Sequence, residues 1–204
     1  KIDRMMKKRY FAIPILAIAL HFLLSNLLYF LVERLVLDVF HIPPQQFMKH
    51  SYWGEILIYA VLILVFFTLY KLLWRKEISE PRTATNFKDV LGSLVVGFGI
   101  CGISGLWIML AEQLPSLQKS VEAMNAGAEN IAGGNAFGTF IIAVIAAPVV
   151  EEILFRGIVL RSIRKFSPVW ASILISSILF GVYHLNIVQA AYATLMGIAA
   201  GILY

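Results

Sequence analysis

The run Ala147-Pro148-Val149-Val150-Glu151-Glu152-Ile153-Leu154-Phe155-Arg156 sets two adjacent carboxylates and a guanidinium inside an otherwise apolar segment. Even lenient insertion scales charge roughly 2.5–3.5 kcal/mol for an acidic or basic side chain at the centre of a membrane helix, so three together require compensation. On a helix, Glu152 and Arg156 are i and i+4 with the acid on the N-terminal side, the favourable order for an ion pair. Glu151 lies ~100° further around the axis and faces a different neighbour. Glu151 is therefore the candidate general base, Glu152 a supporting acid, and Arg156 the group that holds the acids in place. A buried ion-pair network that only fixes helix packing would use the same three residues.

The second constellation is Phe180-Gly181-Val182-Tyr183-His184, in which Phe180 and His184 share a helix face. Counting from Arg164 and Pro168 at ~1.5 Å per residue puts Glu151 at ~20 Å and His184 at ~24 Å, similar depths on consecutive helices. The two could converge on one water molecule, especially where Pro148 bends its helix. A carboxylate, an imidazole and a water are the parts needed for peptide-bond hydrolysis. An isolated buried histidine is otherwise a hydrogen-bonded packing residue. His21 and Asn26 read as interhelical contacts, Glu33 with Arg34 as a boundary pair, and His41 and His50 match no metal-ligand spacing. Cys101 is the single cysteine, which excludes an intrachain disulfide.

The elements that must position these residues are membrane spans. With 60% hydrophobic and 14% charged residues, the chain is too apolar to cover a water-facing surface. Hydrophobic runs predict an all-α, polytopic transmembrane bundle of about six helices, at 11–33, 52–73, 90–111, 131–160, 168–185 and 188–204. It reads as a single membrane domain over 1–204. Glu55 and Lys71 lie near the ends of the second span, where long side chains reach the interface. The last two spans part near His184-Leu185-Asn186. Between spans three and four, Ser116 to Ala126 reads as a helix on the non-cytoplasmic side, either lying on the surface or covering a substrate entrance. Gly133-Gly134-Asn135 breaks the chain before span four. Gly92, Gly97, Gly99, Gly102 and Gly105 in span three, and Gly197 and Gly201 in span six, read as close helix packing.

The 17 Lys and Arg residues follow a membrane pattern rather than that of a nucleic-acid binder. Lys1, Arg4, Lys7, Lys8 and Arg9 precede span one. Lys71, Arg75, Lys76, Arg82 and Lys88 surround the link between spans two and three, and Arg161, Arg164 and Lys165 join spans four and five. These are alternate connections, so the positive-inside rule puts the N-terminus in the cytoplasm, and a bacterial cytoplasmic membrane is the expected location.

At these residues the chain resembles the CPBP family of intramembrane proteases, the CAAX-protease and bacteriocin-processing (Abi) family. Its first motif, two glutamates, three residues and an arginine, is matched by Glu151, Glu152 and Arg156. Its second, Phe, three residues and His, is matched by Phe180 and His184, and the likeness covers about 136–204. The resemblance implies an intramembrane endopeptidase acting on a hydrophobic or membrane-delivered peptide or a prenylated protein tail, with Glu151 and His184 activating water. It implies either a glutamate-type enzyme or a metalloprotease, the latter with one divalent zinc on Glu151, Glu152 and His184. No other cofactor is expected. The family pattern continues with a helix bearing His and Asn four residues apart, and the sequence stops at Tyr204, where the connection to that helix is expected. Two other readings use the same residues: a non-catalytic membrane partner, such as an immunity factor or a sensor-kinase regulator, and a small transporter. The absence of paired broken helices in two halves disfavours the transporter. Expected partners are a peptide or protein substrate, the lipid bilayer and another membrane protein, with no nucleic acid.

Overall fold

The computed structural model describes residues 2–41, 44–78, 86–131 and 135–204, with side chains described from Tyr10 onward and not for 44–51. Gly133-Gly134, Arg82 and Pro43, and the side chains of Lys1, Arg4, Lys7, Lys8, Arg9, Lys49 and His50, lie outside the described set. Helix α1 (Ile2–Arg34) continues into a π-helical turn, Leu35–Val39, and α2 (Pro44–Leu73) runs back beside it. A short α3 (Arg75–Ile78) precedes α4 (Phe87–Glu112), followed by α5 (Gln118–Asn130), α6 (Ala136–Ile163), α7 (Val169–Tyr183) and α8 (Ile187–Leu203).

Local chemistry sets several of these boundaries. Asn86 and Asp89 form a reciprocal capping box at the start of α4. The Asn135 side chain accepts from Gly138 N–H at the start of α6. Tyr10–Val39, Tyr52–Leu73, Phe87–Glu112 and Ala136–Ile163 are each long and apolar enough to cross a membrane. α7 and α8 have 15 and 17 residues and hence lengths of about 22 and 26 Å. The chain is an all-α, polytopic integral membrane protein.

α6 is the central element. Its Leu154, Phe155, Ile158 and Val159 are buried with Leu62 and Phe66 of α2, Ala17 of α1 and Phe180 of α7. The outward faces carry large apolar side chains, such as Phe98 at 78% and Leu106 at 68% exposure, as a lipid-facing surface requires. α6 is not a uniform α-helix: Phe140–Ala146 and Glu152–Leu160 are π-helical on either side of Ala147–Glu151. Pro148 cannot donate to the preceding turn and its ring crowds it, and the widened turns of Phe140–Ala146 on that side accommodate both effects.

Three sequence expectations need correction. Glu55 is buried, 7% exposed, not extended to an interface; Tyr29 and Tyr59 are among its electrostatic neighbours, polar groups that hydropathy does not register. Arg34 pairs with Asp38 at 3.3 Å, one helical turn on, and not with Glu33, because adjacent residues on a helix diverge. The five glycines of α4 make no close approach: among the described residues, a Cβ at any of them would meet nothing within 4 Å. Gly197 and Gly201 do pack as expected, against Ser177 and Ile173 of α7, where a Cβ would come within 2.9 Å of each.

Candidate active site

Glu151 sits at the last residue of the α-helical segment Ala147–Glu151, and Glu152 opens the π-helical stretch that follows. The Glu152 carboxylate lies 3.3 Å from Arg156 Nη1, the i, i+4 pair that the spacing predicts. The Glu152 side chain is 52% exposed and that of Arg156 only 5%, so the pair straddles the wall of a cavity. Arg156 Nη1 has no partner in hydrogen-bond geometry, so this contact is ionic and not a directed bond. The guanidinium reaches further: Nη2 donates to Gly197 O at 3.5 Å and its carbon stands 4.9 Å from the centre of the Phe180 ring. Arg156 thereby ties α6 to both α7 and α8.

His184 caps the C-terminal end of α7. Its Nδ1 is 2.9 Å from Phe180 O. A carbonyl only accepts, so Nδ1 carries the hydrogen in this bond, and in the neutral ring the lone pair is on Nε2. The Phe180 ring meets the imidazole edge-on at 5.0 Å, which gives the Phe and His of the second motif a direct contact. Behind it, the Tyr183 hydroxyl and His21 Nδ1 are 2.5 Å apart. The interhelical reading of His21 holds, and through Tyr183 it braces α1 against the end of α7. Asn26, in contrast, donates to Phe22 O of its own helix at 2.7 Å, and no interhelical bond to it is found among the described residues.

Glu151, Glu152, Arg156, Phe180 and His184 all line one cavity of about 660 Å³. Its remaining wall is largely apolar and comes mostly from α4, α6 and α8, including Ile100, Ala143, Ala147, Met196 and Leu203. Tyr59 of α2 and Gln189 and Tyr192 of α8 add polar groups that sequence reasoning missed. Gln189, a polar residue in an uncharged span, carried a readable signal; Tyr59 and Tyr192 carried none, because an aromatic residue in an apolar helix looks like packing. Cys101 also lines this cavity. Among the described residues, no three His, Cys, Asp or Glu side chains gather as a metal-ligand set. Glu152 is engaged by Arg156, which leaves Glu151 and His184 one protein ligand short of the three that hold a catalytic zinc beside its water.

A helical membrane protein with paired carboxylates and a histidine on a cavity between its apolar helices is thus the class that fold and site define. Residues 133–204 match the family model described as Rce1-like, type II CAAX prenyl endopeptidase, consistent with the CAAX-protease and bacteriocin-processing family that both motifs resemble. No curated protein and no solved structure matches the chain.

Proposed function

We propose that the protein is a glutamate-type intramembrane endopeptidase that cleaves a prenylated or otherwise hydrophobic peptide, with Glu151 and His184 activating water. The observation that carries this reading is the placement of Glu151 and His184, from separate helices, on one largely apolar cavity. Glu151 accepts a proton from water as the water oxygen bonds to the scissile carbonyl carbon. The same proton then passes to the amide nitrogen as the C–N bond breaks. His184, held by its Nδ1–H bond to Phe180 O, presents Nε2 to orient the water. Glu152 and Arg156 hold the helix carrying Glu151 against α7 and α8. The engaged state of Glu152 supports the glutamate-type over the metal-dependent form, and no step runs through zinc. The basic connections support a cytoplasmic N-terminus, and the proposed location is a bacterial cytoplasmic membrane.

The test is cleavage of a farnesylated CAAX peptide by the reconstituted protein. Glu151→Gln and His184→Gln are each expected to lower the rate ~10²-fold or more while the proteins remain folded. Unchanged turnover in folded Glu151→Gln protein would leave these residues a packing network, and with it the reading as a non-catalytic membrane partner.

A further inference from the structure

α5 lies outside the segment that matches the family model, yet it is bonded to the turn that carries His184. That turn is strained. His184 ends α7, Leu185 takes a left-handed backbone with φ of 53°, and Asn186 begins α8. A leucine occupies that region only where its surroundings hold it there.

Asn186 supplies much of the hold. Its Oδ1 accepts from Val188 N–H at 3.0 Å and from Gln189 N–H at 3.1 Å, satisfying two free donors at the start of α8. Because those N–H groups require the oxygen, the side-chain nitrogen must point the other way. There Nδ2 donates to Ser120 O of α5 at 2.8 Å. The neighbouring Val188 O accepts from Trp107 Nε1 of α4 at 2.9 Å. Val188 is itself buried against Ala111 and Val121. The backbone just after His184 is therefore fixed from α4 and α5, and the imidazole itself is fixed to Phe180 O just before.

We propose that Asn186 is a positioning residue for His184: by bridging the first turn of α8 to Ser120 of α5, it holds the left-handed Leu185 turn that keeps the imidazole on the cavity wall. α5 is then part of the scaffold of the site. The kinetic side of this proposal rests on the proteolytic reading above; the structural side does not.

Asn186→Asp keeps the oxygen that caps α8 and replaces the donor to Ser120 with an acceptor. Asn186→Ser also keeps a capping oxygen but is too short to reach Ser120, and serves where the aspartate variant does not fold. The chain has four histidines, so nitrogen-15 histidine labelling of the full chain in detergent resolves them, with His184→Gln assigning the signal of interest. In both variants the His184 imidazole resonances are expected to shift while those of His21 stay in place. With a farnesylated CAAX peptide, kcat is expected to fall ~10- to 100-fold at unchanged KM. An unmoved His184 signal in both variants overturns the proposal whatever the rate does, and so does an equal shift at His21, which would mark a general loosening. Should the wild-type protein leave the peptide intact, the proteolytic reading falls and the resonances alone still decide the positioning role.

Discussion

α4 and the α7–α8 pair are both rich in small residues, and the structure uses them in opposite ways. A Cβ at Gly181 would lie 2.1 Å from Thr194 Oγ1 and 2.5 Å from Ala190 O, and at Gly197 and Gly201 it would meet α7 at 2.9 Å. On α4 a Cβ at Gly92, Gly97, Gly99, Gly102 or Gly105 would meet nothing among the described residues within 4 Å. Glycine in a membrane helix records that a close approach is allowed, and only the fold says whether one is made. Where it is made, it serves the site: the approach at Gly181 and Gly197 lets α8 bring Gln189 and Tyr192 to the cavity and offers Gly197 O to Arg156.

The comparison is broken most severely at Gly181. Gly181→Val would press a branched side chain into the Ala190 backbone, which cannot yield as a flexible side chain would. Overpacking of this kind costs on the order of 3 kcal/mol or more, so folded protein is expected to be lost, as read by size-exclusion profile and thermal unfolding. Gly197→Ala is milder. Its methyl would meet Ser177 at 2.9 to 3.1 Å, for an expected loss of roughly 1–3 kcal/mol in denaturant unfolding. It would also displace the carbonyl that Arg156 bonds, so peptide cleavage should fall further than stability alone explains. Gly102→Ala on α4 is expected to be neutral or to stabilise by about 0.5–1 kcal/mol through helix propensity. A clear destabilisation by Gly102→Ala would show that a further helix covers this face, and the contrast between the two regions would disappear.

The two motifs show how far the sequence reaches. The Glu152–Arg156 pair was legible because it lies within one helix, where i, i+4 spacing fixes proximity. The Phe180–His184 contact was legible for the same reason. Depth counting on consecutive helices led to the expectation that Glu151 and His184 lie at similar levels, and both line the one cavity. Tyr59 could not be found this way. It comes from α2, and whether it faces α6 or lipid depends on the rotation of α2 about its own axis. Glu55 was misjudged on the same ground: its distance from the end of the span was read, and its burial against neighbouring helices was not.

By itself the sequence determined the membrane class, the polytopic helical architecture, the turn near His184 and the residues of both motifs. Transfer of a helix into hydrocarbon is a sum over its own residues, and contacts one turn apart are set by the helical repeat. The tertiary structure decided the π-helical form of α6, the extent of the cavity, the reach of Arg156 to Gly197 O, the His21–Tyr183 brace and the bond from Asn186 to Ser120. Those depend on how helices distant in sequence rotate and pack against one another, a matter of shape between surfaces that no single stretch of chain encodes.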